Sequence, residues 1–268
     1  MRVLLAAETA QHTALVQALR GRWNAVSAIS EVLAAARGRP SPLAYVAVGP
    51  RALQQALGSA LDAPLIAVLV SRQAYGQLVD RSARLLHGVT AVFAESSPVQ
   101  QMRTIAAVMR RPLTVGALAS SQSRYMEAAL KAAAQSAGLS ATVQAHDPAI
   151  GLSRNLLRLA AADAVLIYPD SEIFTPDSLR ELLESTYRRR QPVFGFSEAL
   201  VNAGTLASAF SSPDDLAAQL VEMLGMVTEG RLPAPQYPRY WRVAINDSVA
   251  RSLDIVIDGS ARNLGDRP

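Results

Sequence analysis

The side chains whose types and positions could do chemistry are Glu8, Ser71, Glu95, Ser96, Ser120, Ser121, Tyr168, Asp170, Phe196 and Glu198. Each falls in a short polar stretch just after an apolar run. Small hydroxyls beside helix N-termini suit a ligand carboxylate. Asp170 or Glu198 could face an amine, and Tyr168 and Phe196 could stack on a flat ligand group. Each residue reads equally as a solvated loop cap, and for any one of them that alternative stands open.

Covalent chemistry finds less support. No G-x-G-x-x-G follows the first apolar run, and neither a phosphate-binding loop nor a G-x-S-x-G elbow occurs. His12, His87 and His146 are scattered without ligand spacing, so they read as surface or loop histidines. Asp214 and Asp215 fall in the first turn of a predicted helix, where the dipole accounts for them. No nucleophile, base and oxyanion donor assemble. A binding protein with no catalytic residues, no metal and no cofactor is therefore expected.

The elements that must position these loops alternate along the chain. Apolar runs predict strands at Val3–Ala7, Ala25–Ile29, Tyr45–Val48, Leu65–Val70, Ala91–Ala94 and Leu113–Leu118. Further strands are expected at Ala141–Gln144, Ala164–Tyr168, Val193–Phe196, Thr205–Ala209 and Arg242–Ile245. Helical patterns lie between them, as at Thr13–Arg20, Ala52–Leu61, Gln122–Ala137 and Leu216–Thr228. Continuous rather than alternating apolar strands point to burial on both faces, as in parallel sheets. Ligands bind at the carboxyl ends of strands in such folds, which is where the polar loops fall.

Helix starts are marked by Ser97-Pro98, Thr175-Pro176 and Ser212-Pro213, with Gln100 as a capping-box partner in the first. The pattern also restarts. After Arg111-Pro112 come a strand, a polar loop ending at Ser123 and a long helix, as at the beginning of the chain. Two similar halves predict two Rossmann-like lobes of α/β class with parallel sheets. The proline-rich Arg231–Pro238 reads as an extended crossover before the last strand.

The chain has 268 residues, half of them apolar and 18% charged, a composition that can bury a core. It has no cysteine, which excludes disulfides and thiolate metal sites without fixing a compartment. Net charge is +4, but the one dense cluster, Arg188–Arg190, ends a predicted helix, where cations favour the dipole. No aromatic-interleaved basic stripe accompanies it, so nucleic acid is not an expected partner. No apolar run reaches the ~20 residues needed to cross a bilayer. Met1-Arg2 leads straight into Val3–Ala7, too short for a signal peptide.

From Gly88 onward the sequence resembles the solute-binding components of a bacterial ABC-transporter group, characterised members of which bind aromatic amino acids. The match is carried by Gln191–Ala207, by Ser212–Leu216, by the "Gly-x-x-Pro" exit at Gly230–Pro233 and by Asn246–Leu253. Val89–Phe93 and Ser97–Met102 extend it. Three departures stand out: Gly49-Pro50 replaces a Gly-Thr whose hydroxyl is available to ligand, Ser71–His87 differs from a short glycine-rich loop, and Asp254 replaces a glycine.

The resemblance implies a type I periplasmic binding-protein fold. Lobe one would take residues 1–112 and 205–231, and lobe two 113–204 and 232–268. A three-segment hinge would lie near Arg111-Pro112, Ala203-Gly204 and Leu232–Pro238. It further implies a periplasmic monomer, its export signal removed, that holds a small molecule in an interlobe cleft. Closure on the ligand would present it to an ABC permease. The alternative is a periplasmic accessory protein with a degenerate site, partnering a membrane receptor; Pro50, which offers neither hydroxyl nor N–H, favours it. A lac-repressor-type effector domain and an enzyme rank behind both.

Overall fold

The structure is a computed structural model that describes residues 1–6, 9–29, 41–82 and 88–268. In chain order the first half runs β1 (Arg2–Leu5), α1 (Ala10–Arg22), β2 (Ser27–Ile29), β3 (Tyr45–Val48), α2 (Pro50–Leu57), β4 (Leu65–Val70), α3 (Arg72–Asp80), β5 (Val89–Phe93) and α4 (Pro98–Met109). The second half restarts with β6 (Thr114–Ala119), α5 (Glu127–Ser136), β7 (Ser140–Ala145), α6 (Gly151–Leu157), β8 (Ala164–Leu166), α7 (Pro176–Arg188), β9 (Val193–Gly195) and α8 (Glu198–Ala203). It closes with β10 (Ala207–Phe210), α9 (Pro213–Thr228), β11 (Arg242–Ile245), α10 (Asp247–Ser252) and α11 (Gly259–Asn263). Every expected strand has a counterpart, though Ala7 lies outside the described residues.

The strands form two sheets of order β2-β1-β3-β4-β5 and β7-β6-β8-β9-β10-β11. All neighbours are parallel except β10 and β11, which pair Ala207 with Ile245 and Phe210 with Arg242 in antiparallel register. Renumbered from its own start, the second sheet repeats the 2-1-3-4-5 order of the first and adds one antiparallel edge strand. The order reverses at β1/β3 and at β6/β8, the switch points where doubly wound sheets bind ligands. Strands β1 and β3 are buried along their whole length, as continuous apolar runs require.

The chain divides into two compact units, one of Met1–Glu95, Ser211–Trp241 and Asp266–Pro268, the other of Ser96–Phe210 and Arg242–Gly265. These limits differ from 1–112 with 205–231 and from 113–204 with 232–268. Helix α4 belongs to the second unit: Gln101 Nε2 donates to the Ala209 carbonyl at 3.0 Å, and the Ala209 N–H returns a bond to Gln101 Oε1 at 3.2 Å. Strand β10 belongs there too, parallel to β9. Helix α9 goes to the first unit, where Leu216, Leu220 and Leu224 share a core with Leu15, Leu19, Val3 and Val46. Each sheet is thus finished by a helix that chain order alone would give to the other half.

The passages between units follow Glu95, Phe210, Trp241 and Gly265, in place of Arg111-Pro112, Ala203-Gly204 and Leu232–Pro238. The last passage was not foreseen. The C-terminal tail returns to the first unit, where the fully buried Trp241 donates its indole N–H to Asp266 Oδ2 at 2.7 Å. The proline-rich crossover is extended as expected, but it also joins the first sheet at a single residue. Gln236 donates to the Ala91 carbonyl at 2.9 Å and accepts from Phe93 N–H at 3.0 Å, a parallel bridge at the edge of β5. Pro235 and Pro238 flank it at an edge, where missing donors cost the ladder nothing.

Local signals held where they were read. Ser97, Thr175 and Ser212 each form a capping box, with Gln100, Ser178 and Asp215 as third-residue partners. Asp254 takes the left-handed conformation at φ 58°, one that Asp tolerates and glycine adopts freely. The arginine cluster is used within the second unit: Arg189 Nη1 donates to Ser185 Oγ at 2.9 Å, and Arg190 pairs with Asp254. No helix among the described residues is long and apolar enough to cross a membrane.

Candidate functional site

In the first unit the strand ends of β4 and β5 meet at one buried carboxylate. Ser71 caps α3, its Oγ accepting from Ala74 N–H at 3.1 Å, so this hydroxyl serves the helix. Glu95 follows β5 and is 6% exposed. Its Oε1 accepts the Arg72 backbone N–H at 2.9 Å, whereas Oε2 is buried without a hydrogen-bond partner. Burial pushes the Glu95 pKa up to about 7, against a smaller lowering from the Arg72 N–H, its own backbone and the Arg72 charge. The next residue, Ser96, opens the second unit, and its Oγ is also buried without a partner. Glu8 and His87 lie outside the described residues.

Beside Glu95 stands an aromatic cluster that sequence reading did not assemble. Phe93 meets Tyr75 edge-on with ring centres 5.7 Å apart and Tyr237 edge-on at 5.2 Å. Arg72 lies over the Tyr237 ring at 5.7 Å and donates from Nη1 to its hydroxyl at 3.2 Å. Desolvation raises the Tyr237 pKa, with an opposing effect of the Arg72 hydrogen bond. Tyr237 reaches this position only because Gln236 bridges to β5. Nothing local in a proline-rich stretch signals that.

In the second unit the residues after β6 and β8 bind one another. Asp170 is 3% exposed; its Oδ2 accepts from Ser120 N–H at 3.1 Å and from the Ser123 hydroxyl, and its Oδ1 accepts from Glu172 N–H at 3.1 Å. This carboxylate stitches the 120–123 loop to the 168–172 loop. The expected amine-facing role is therefore occupied by the protein's own donors. Ser120 Oγ accepts from Gln122 N–H at 3.1 Å, and Ser121 is exposed.

Tyr168 is buried. Its hydroxyl lies near Ser123 without forming a hydrogen bond, and desolvation above all pushes its pKa up to about 12. Phe196 is half-buried after β9, and Glu198 is exposed in the first turn of α8. His146, read as an ordinary loop residue, follows β7 with a buried Nδ1 that has no partner. Its backbone N–H donates to the Ala119 carbonyl at 2.8 Å, which places it beside the end of β6. Among the described residues no cluster of three or more metal-ligating side chains occurs.

Gly49 opens α2 at φ 85°, and Pro50 occupies the first helical position without a side-chain cap. The Gly49 amide donates to the Val68 carbonyl at 2.9 Å, and His12 of α1 stands across it. At this β3 strand end, a switch point of the first sheet, the His12 imidazole thus lies against Gly49.

The fold is that of a type I periplasmic binding protein. An ABC domain from Streptococcus pneumoniae, solved with L-Trp, superposes with a TM-score of 0.62 over 97% of this chain and 96% of that one, at 22% identity. A conserved domain protein from Vibrio cholerae gives 0.62 over 98% and 97%, at 17% identity. A ligand-free, open substrate-binding protein with adhesive properties from Clostridium difficile gives 0.70 over 98% and 97%, at 14% identity. No protein-family model matches the sequence, and no curated protein matches it.

Proposed function

We propose that this chain is an extracytoplasmic solute-binding protein that captures a small molecule, an amino acid or other aromatic compound, and delivers it to an ABC permease without transforming it. The observation that carries this reading is the set of buried polar atoms without partners at the strand ends: Glu95 Oε2, Ser96 Oγ, Tyr168 Oη and His146 Nδ1. Buried polar atoms in native proteins are nearly always satisfied, so exceptions on the strand-end loops of each unit mark where a ligand could supply the missing partners. Solved proteins of the same fold hold L-Trp in one case and bind substrate in another. The chain acts as a monomer, with Ser71, Glu95, Ser96, Ser120, Ser121, Tyr168 and Phe196 as the contacting loops.

A thermal-shift screen against amino acids, aromatic acids, amines and polyols tests the reading. A ligand at a hundred times its dissociation constant adds about 2.7 kcal/mol. The melting point then rises by several degrees. A specific observation favours a second reading, an accessory protein partnering a membrane receptor: Asp170 is consumed internally and Pro50 offers no donor. No shift with any solute class, together with capture of a membrane protein by the intact chain, would establish that alternative.

A further inference from the structure

Among the described residues, the candidate acids at or beside the strand ends are Asp170, Glu198 and Glu95, and Glu95 has an acceptor to spare. Asp170 accepts from Ser120 N–H, the Ser123 hydroxyl and Glu172 N–H. Glu198 is exposed on a six-residue helix, open to solvent. Glu95 is 6% exposed, has Oε1 occupied by the Arg72 N–H and leaves Oε2 buried with no donor. An unpaired buried carboxylate oxygen is expensive, and a donor arriving with a solute removes the penalty.

We propose that Glu95, at the carboxyl end of β5, receives a protonated amine of the captured solute and so selects for amine-bearing molecules. The proposal rests on the solute-capture reading above and names the chemistry of that site. A cation fits better than a neutral hydroxyl for two reasons. Charge-assisted hydrogen bonds are roughly twice as strong as neutral ones. A hydroxyl also leaves the buried negative charge uncompensated, whereas an ammonium neutralises it.

Among the described residues, the charged and titratable groups that act on Glu95 are Arg72, at the start of α3, and Tyr237, from the crossover bridged to β5. The Arg72 guanidinium lies over Tyr237 and donates to its hydroxyl, while the Arg72 backbone N–H donates to Glu95 Oε1. With its pKa raised to about 7, Glu95 must give up its proton when an ammonium binds at or below neutral pH. Amine affinity therefore rises as pH rises through neutrality and then levels.

Calorimetry on the full chain tests this with L-tryptophan, L-lysine and tryptamine as amines, and indole-3-propionate and myo-inositol as amine-free probes. Wild type should bind at least one amine, more tightly at about pH 8 than at about pH 5.5, with proton release visible as a buffer-dependent heat. Glu95→Gln keeps the shape and removes the charge; it should weaken that amine about ten- to a hundred-fold and flatten the pH dependence. Its melting point, at or above wild type, reports that the fold is intact. Equal amine affinity in E95Q, or binding of an amine-free probe alone, would overturn the role of Glu95 while leaving solute capture standing. No binding of any probe by wild type would overturn both.

Discussion

Glu95 and Asp170 are both carboxylates buried after a strand, and their surroundings set them apart. Asp170 has three donors from its own chain, so its charge is satisfied in the folded state. Asp170→Ala leaves the Glu172 N–H and the Ser123 hydroxyl without their acceptor, and the Ser120 N–H with Ser123 Oγ alone, and should cost about 2–4 kcal/mol. Urea denaturation measures that loss; an unchanged midpoint would show that the loop stitch contributes nothing. Glu95 works in the opposite sense. Its folded pKa, about 7, lies above the ordinary 4.5, so its contribution to stability is fully present below pH 4.5 and is lost as pH climbs to 7. Stability of the unliganded protein should thus fall by up to roughly 3 kcal/mol across that window relative to Glu95→Gln. Identical pH profiles for the two proteins would contradict the burial of this group.

The capping boxes and the helices they start are the features most closely tied to neighbouring residues. Ser212 Oγ accepts from Asp215 N–H at 3.2 Å while Asp215 Oδ2 accepts from Ser212 N–H at 3.0 Å. Ser212→Ala removes one half of this exchange and should destabilise the protein by about 1 kcal/mol, read as a lower urea midpoint. The helix is worth more than its cap, because Leu216, Leu220, Met223 and Leu224 cover the first sheet. The residues that start and stop α9 are legible in the sequence; the sheet it covers is not. The same holds at β5, where an edge bridge through Gln236 carries Tyr237 to the aromatic cluster beside Glu95.

At the scale of the whole molecule, the two units exchange their closing helices, and this decides which pieces can fold. A fragment ending at residue 112 keeps β1–β5 but lacks α9, so Val3, Val46 and Leu15 lose the helix that shares their core. Such a fragment should show no cooperative thermal transition. Residues 1–95 joined by a linker to 211–241 should melt cooperatively, as followed by circular dichroism. Cooperative melting of the first and failure of the second would restore the simpler division at 112.

The sequence by itself determined the alternation of strands and helices, the doubling of the pattern, the helix caps and the polar loops at the strand ends. Those properties rest on side-chain periodicity and on bonds spanning three residues, such as Ser97 with Gln100, so a local window contains the whole cause. Only the tertiary structure decided which unit α4, β10 and α9 join, because that turns on partners such as Gln101 and Ala209, 108 residues apart. It also decided the fate of each candidate acid. Asp170 finds Ser120 across 50 residues and becomes a structural tie, while Glu95 finds one donor and keeps an oxygen bare. Residue type fixes what a carboxylate can accept; desolvation and the donors folded against it fix whether any of that capacity is left for a ligand.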